Sequence, residues 1–427
     1  MKKSAFLLLA LSLLLGPQLQ AQSFAAFDQY LSTEVQAGRL VGGHGMVFQD
    51  GKLVYDKTHG LRDRESKDPL RGDELYFIQS MTKPIVSVAL MTLYDEGKFQ
   101  LDDPVSKYLP EYANLQVVND PTKGLASGTH PAPSTMTIRQ ILSHTAGMSH
   151  GIAPIAYDKE LWNGIILNGN LKTLAQRTEA LAKIPLAFDP GNKWNYSFSP
   201  DVVGRLVEVL SGKSLDQYLQ ERIFGPLEMK NSGYNLSEAQ KQRVMTVYSY
   251  SADTTLNHAW GQPTPTGNTL FAGVNALFTS TADYARFGEM MLNQGEWNGK
   301  RILKPETVAL ITADHTTDIK YRLTSKDPYT VLGNGIVTDA LGTLNLEPGH
   351  GFGFGFAIVQ EPSLANRPEA AKGEFFWSGA NSTHFFINPA KKLVVVFMTQ
   401  VASVGNPNPY GFYFSNELRN VVYKDLK

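Results

Sequence analysis

Ser80-Met81-Thr82-Lys83 sets a hydroxyl three residues before an amine, in a chain of 427 residues that contains no cysteine for thiol catalysis. It is the only Ser-x-x-Lys in the sequence. Positions i and i+3 of a helix share a face, so the Lys83 amine is expected one turn above Ser80 and within reach of its hydroxyl. That spacing supplies a nucleophile and a base. Phe77-Ile78-Gln79 lead in, Pro84 follows, and Ile85, Val88, Ala89 and Leu93 recur at helical spacing until Gly97. Pro84 is tolerated near a first turn, where backbone donors lack intrahelical partners, and those free donors suit the helix start to stabilising an anion. A Ser-x-x-Lys arises by chance about once or twice in a chain of this size, so the tetrad alone does not establish a catalyst.

Composition narrows the setting. Lys2 and Lys3, the apolar run Ala5 to Leu15 and Leu19-Gln20-Ala21 read as a signal peptide over residues 1–21, implying export to the periplasm or medium. The run is too short to span a bilayer, so no stable membrane insertion is expected after cleavage. An exported chain without cysteine must draw its stability from core burial, which 42% apolar residues permit. Thirty-nine basic against forty acidic side chains, with no block of like charge, leave no footprint for nucleic acid. A small molecule is the expected partner. Oligomeric state has no readable signal.

Phe24 to Ala37 has helical spacing, and Gly42 to Phe48 and Lys52 to Thr58 read as strands joined through Asp50-Gly51, a hairpin signal. The chain's end mirrors its start, with strands expected at 352–360, 373–377, 384–387 and 393–399 before a helix from Phe412 to Lys424. Between them lie helical patterns at 137–143, 171–182, 201–210, 214–223 and 282–292. The expected fold is α+β: an antiparallel sheet made from both chain ends and flanked by helices, holding an inserted, mostly helical domain. Residues 22–95 and 295–427 are assigned to the first domain and 96–294 to the second, with the active site at their interface. Irregular stretches near 118–136, 252–270 and 324–350 read as loops framing that site.

Gly351-Phe352-Gly353-Phe354-Gly355-Phe356 lacks G-x-G-x-x-G spacing and a following helix, so it reads as a strand with one aromatic face rather than a phosphate loop. Nine histidines show no H-x-x-x-H or H-x-x-E-H pair, so neither metal nor cofactor is expected. The serine and lysine need a third proton carrier, and Tyr196, in the loop Pro190 to Ser197 just before a helix, is the candidate. An adjacent positive charge favours its phenolate. A rim or core aromatic is the structural alternative.

Ser80-Met81-Thr82-Lys83-Pro84, Asp95-Glu96-Gly97-Lys98, Leu101 to Val105, Tyr108-Leu109-Pro110, Leu142-Ser143-His144-Thr145-Ala146-Gly147 and Trp194-x-Tyr196-Ser197 occur in an order that resembles the serine β-lactamase/penicillin-binding superfamily. Within it the chain is most similar to the family VIII carboxylesterases. Ser280 to Tyr284, Gly299 to Leu303 and Trp377-Ser378-Gly379-Ala380 extend the likeness over most of the chain. The resemblance implies that Ser80 is acylated while Lys83 and Tyr196 share the proton work. It places Trp377-Ser378-Gly379 at the third motif and an oxyanion hole at the backbone N–H groups of Ser80 and Ala380. Two departures favour esters. Phe198 stands where β-lactamases carry an asparagine, and the third motif lacks the lysine that pairs with a substrate carboxylate. Trp377, Ser378, Gly379 and Phe198 are accordingly the expected substrate-binding residues. Gly273-Val274-Asn275-Ala276-Leu277 is less glycine-rich than the family's usual stretch there.

Gly147-Met148-Ser149-His150-Gly151 also matches the G-x-S-x-G nucleophile elbow, which needs a strand before the serine and a helix after it. Here a helical stretch precedes it and Ile152-Ala153-Pro154 follows, so Ser149 reads as loop. His144 invites the role of general base, but the resemblance makes it a structural residue beside the site. The expectation is an exported serine carboxylesterase acting on short-chain esters through an acyl-enzyme. A β-lactamase or D-amino-acid peptidase of the same superfamily is the second reading, and a non-catalytic penicillin-binding-like protein the third.

Overall fold

The computed structural model describes residues 24–161, 171–251, 253–259, 262–333, 335–365, 369–402 and 413–426. The expected signal peptide lies outside them. Helix α1 (Ala25–Gln36) leads into strands β1 (Gly42–Gln49), β2 (Lys52–Asp63) and β3 (Asp68–Pro69). Helices α2 (Thr82–Asp95), α3 (Ser199–Ser211) and α4 (Thr281–Leu292) precede β4 (His350–Phe352), β5 (Ala357–Val359), β6 (Phe375–Ser378), β7 (His384–Asn388) and β8 (Leu393–Met398). Helix α5 (Tyr413–Asp425) closes the chain.

The eight strands form one sheet in the order β4-β5-β6-β7-β8-β1-β2-β3, antiparallel throughout. Asp50 and Gly51, at φ 50° and 71°, make the tight turn between β1 and β2, as that dipeptide predicts. The chain's two ends meet where β1 pairs with β8, His44 opposite Met398 and Gln49 opposite Leu393. Every residue of β8 is buried, a run that stays dry only when both faces of a strand are covered. Helices α1 and α5 pack together, with α1 also against β2, whereas α4 packs against β1, β7 and β8. Gly288 permits that approach, because a Cβ there would stand 2.6 Å from Val394 Cγ1. The ends are also tied by a cap. No side chain near Phe24 caps α1; Asp425, from the last turn of α5, accepts from Ala26 and Phe27 N–H at 3.2 and 2.9 Å.

Helices dominate the region between the sheet halves, but α4 belongs with the sheet by packing, although it precedes residue 295. Helix α2, buried over nearly its whole length, packs on α3. The three stretches read as loops prove partly stranded. Gln116–Val118 pairs with Thr129–Pro131 and Tyr248–Tyr250 with Leu256–His258, while Tyr329–Gly333, Ile336–Asp339 and Leu344–Leu346 form a separate sheet. Strands of three to five residues between Pro and Gly are too short to show an alternation in sequence.

The Gly351–Phe356 expectation is corrected as well. The segment is not one strand: β4 and β5 pair back on themselves, with Phe352 opposite Ala357 and a turn between. Gly355 sits at φ 87°, and a Cβ there would lie 2.7 Å from Ser87 Oγ on α2. The three aromatics consequently serve different packings. Phe352 meets Trp194 and Trp377, Phe354 stacks on His315, and Phe356 meets Phe375 and Phe385.

Candidate active site

Ser80 lies in a single 3-10 turn, Gln79–Met81, that runs directly into α2. Gln79, just before it, takes φ 49°, a conformation that costs a non-glycine residue energy and that surrounding contacts must enforce. Those contacts come from the turn after β6 and from Gln400, just past β8. Gln400 and Asn381 side chains donate to Phe77 O, each at 3.2 Å, and Thr383 Oγ1 donates to Ile78 O at 3.4 Å. The same turn is closed by Gly379 N–H donating to Thr383 O at 2.9 Å. A Cβ on Gly379 would fall 2.2 Å from Ile78 O, so only glycine lets the third motif close on the strand leading to Ser80. Ala380 follows it in that turn, and β6 packs against the turn carrying Ser80.

Lys83 Nζ donates to Ser80 Oγ at 2.9 Å and to Val274 O at 2.8 Å. The Tyr196 hydroxyl donates to Ser80 Oγ at 2.8 Å. Lys83 is 1% exposed, and burial holds its amine well below the ordinary lysine pKa, since an ammonium there would forfeit hydration. Burial also raises Tyr196 above the ordinary phenol value, against a smaller opposing pull from its contacts with Ser80 and Trp377. The expectation of a favoured phenolate is thereby corrected: burial shifts both groups toward their neutral forms, an amine and a phenol.

Tyr196 is held by rings. His150 stacks on it with centroids 5.0 Å apart and planes at 10°, and the other face of this arrangement continues to Phe198, 4.6 Å from His150 at 11°. Trp377 approaches Tyr196 at 5.4 Å. Phe198 thus occupies the place of the missing amide as part of an aromatic stack, and Arg177 lies over its ring at 5.1 Å. His144, at φ 58°, places Nδ1 2.8 Å from Ser197 Oγ, and its carbonyl accepts from Asn195 N–H at 2.9 Å. Its ring sits 5.1 Å from Tyr196, and burial beside Lys83 keeps it neutral. It shapes the Tyr196 loop without touching Ser80.

Ser149 is 3% exposed, and its hydroxyl donates to Asp158 Oδ1 at 2.8 Å. The elbow geometry is absent: the element leading to Ser149 is the helix Ile138–Leu142 rather than a strand, and the next helix after it is Ala156–Leu161. Sequence reasoning missed His150 as a wall of the site and Val274 as the carbonyl that holds Lys83. Their only signal was position, His150 within the rejected elbow and Val274 in the atypical Gly273–Leu277 stretch. Asp63, Glu65 and His258 bring possible metal-ligating atoms within 4.8 Å of one another, but all three lie outside the Ser80 cluster and are engaged by Thr246, Tyr248 and one another.

Residues 27–414 match the family model described as Beta-lactamase. Esterase EstB of Burkholderia gladioli is 29% identical over 425 residues, covering 95% of each chain. The protein Rv1367c of Mycobacterium tuberculosis is 31% identical over 396 residues, which is 87% of this chain and 91% of that one. Among solved structures, EstCE1, a hydrolase with promiscuous acyltransferase activity, aligns with TM-score 0.73 at 25% identity, covering 94% of this chain and 99% of its own. Unliganded Simvastatin Synthase (LovD) from Aspergillus terreus shares the fold, with TM-score 0.73 at 21% identity over 94% and 98% of the two chains. The chain belongs to the Beta-lactamase family, its relatives include an esterase, and it shares the fold of a hydrolase with promiscuous acyltransferase activity.

Proposed function

We propose that the protein is an exported carboxylesterase that cleaves short-chain esters through an acyl-enzyme on Ser80. The observation that carries this reading is the double contact on one oxygen: Ser80 Oγ accepts from both Lys83 Nζ and Tyr196 Oη within 2.9 Å. As Oγ attacks the ester carbonyl, the hydroxyl turns to donate across the same 2.9 Å contact and the neutral Lys83 amine takes its proton on the lone pair. Tyr196 gives its phenolic proton to the departing alkoxide and recovers one from the Lys83 ammonium. Water then enters, loses a proton along the same route, and releases the acid with Ser80 restored. The Ser80 and Ala380 N–H groups are assigned to the tetrahedral oxyanion, a role in which losing one donor typically costs about 2.7–4 kcal/mol.

The preference for a neutral ester rests on charge. Trp377 stands in place of the third-motif lysine, and two further basic residues around the Tyr196 loop are already committed, Lys193 to Asp339 at 2.6 Å and Arg177 to Asp201 at 2.7 Å. A substrate carboxylate has no counter-ion among these groups. The rings of Tyr196, His150, Phe198 and Trp377 offer an apolar wall, with Ser378 and Gly379 at its edge.

The test is hydrolysis of p-nitrophenyl butyrate by the mature chain beside Ser80→Ala, with mass spectrometry of the quenched enzyme to find the butyryl group. Turnover that survives Ser80→Ala, or an acyl group on another residue, overturns the assignment. A stable Ser80 adduct with a fluorescent penicillin and no ester turnover favours a penicillin-recognising protein instead. Export is checked by sequencing the N-terminus of protein from the periplasm or medium, where cleavage after Ala21 is expected.

A further inference from the structure

The lysine's other hydrogen bond leads to a buried ion pair. Val274 O, which accepts from Lys83 Nζ, belongs to a residue whose own N–H donates to Asp201 Oδ1 at 2.9 Å. Asp201 is fully buried in the first turn of α3, and its other oxygen lies 2.7 Å from Arg177 Nε. Arg177 comes from the helix Leu174–Ala182 and is seated over Phe198, so the pair is fixed from both sides. Gly273 makes the join possible: a Cβ there would lie 2.0 Å from Pro200 O, at the start of α3. One unbroken path therefore runs from Arg177 through Asp201 and the backbone of residue Val274 to Lys83 and Ser80. A buried ion pair is costly to desolvate and is seldom the cheapest way to stabilise a core.

We propose that Arg177 and Asp201 are positioning residues for Lys83: by holding the N–H of Val274 they fix that residue, whose carbonyl aims the amine at Ser80 Oγ, and their opposed charges set how readily that amine takes the serine proton. The inference rests on the assignment of Ser80 and Lys83 above. The groups facing Lys83 are Ser80 from its own turn, Tyr196 from the loop before α3, His144 and His150 from the segment after Ile138–Leu142, and the Arg177–Asp201 pair. His144 and His150 are held neutral by burial and Tyr196 is held as phenol, so the pair supplies the formal charges in this set. Asp201 favours the Lys83 ammonium and Arg177 opposes it.

The experiment reads the rate at which a fluorophosphonate labels Ser80 as a function of pH, which needs no knowledge of the ester. The neutral amine is the working base, so labelling falls as pH drops through the Lys83 pKa. Asp201→Asn keeps an acceptor for Val274 N–H but removes the negative charge, and its acid limb is expected to move to lower pH. Arg177→Met leaves the carboxylate and is expected to move the limb to higher pH, while Arg177→Lys restores it to the parent position. Limbs that stay in place, or move in the same direction in both variants, overturn the proposal. If either single variant fails to fold, the double variant Arg177→Met/Asp201→Asn decides. A folded double variant with the parent limb but slower labelling supports positioning, and one that labels at the parent rate refutes it. Absence of label on Ser80 in the parent protein would instead defeat the assignment of the nucleophile itself.

Discussion

Two serines sit in recognisable catalytic motifs, and their surroundings are opposite. Ser80 is half-buried and its oxygen accepts from an amine and a phenol. Ser149 is buried and its hydroxyl donates to a carboxylate that also accepts from Ala153 N–H at 2.8 Å. Burial raises the Asp158 pKa, and the Ser149 hydroxyl partly offsets that cost, so the proton of Ser149 is committed to supporting a buried acid. Its carbonyl accepts from Phe198 N–H at 3.1 Å, which links the same loop to the aromatic stack. A hydroxyl becomes a nucleophile when a base can receive its proton beside open space; one already donating inward is a structural tie. Local motif spelling does not distinguish the two.

Substitution separates them in order of effect. Ser80→Ala should cost on the order of 10⁴-fold or more in kcat for ester hydrolysis, since only binding and oxyanion donors remain. Tyr196→Phe keeps the ring stack and removes the proton carrier, with an expected loss of about 10²- to 10⁴-fold in kcat and little change in KM. The comparison breaks if Tyr196→Phe is silent. The pH profile of the parent sharpens it: activity should hold well below the ordinary lysine range, because Lys83 has a lowered pKa and loses its lone pair only as pH falls through that value. The raised Tyr196 value keeps the phenol protonated across the neutral and moderately alkaline range, so no alkaline loss is expected there from this group. Ser149→Ala should leave kcat within a few fold yet lower unfolding stability by about 1–3 kcal/mol, because a buried acceptor loses its donor. Urea unfolding beside the esterase assay reads both quantities, and a dead, fully stable Ser149→Ala would exchange the roles of the two serines.

Much of this arrangement was legible before any coordinates. Ser80 and Lys83 were readable because one turn of helix brings i and i+3 together by itself. Asp50-Gly51 was readable because few dipeptides accept two positive φ angles in succession. Tyr196, 116 residues from Ser80, depended on the likeness to a family, since no periodicity relates residues so far apart. The aromatic hexapeptide misled because alternating glycine and phenylalanine suits either a strand or a hairpin. Contact of Gly355 with Ser87 on α2 selects the hairpin.

The sequence by itself determined that a hydroxyl and an amine stand one helical turn apart at Ser80 and Lys83, that both chain ends carry strand patterns, and that Trp377-Ser378-Gly379 brings no cation, because each is a matter of residue type or of spacing within one element. Tertiary structure alone decided that Ser80 Oγ meets an amine and a phenol while Ser149 donates to Asp158, that burial draws lysine and tyrosine toward their neutral forms, and that Asp201 and Lys83 are bridged by the one residue Val274. Those outcomes depend on desolvation and on close approach between distant segments, and neither quantity exists until the chain has packed.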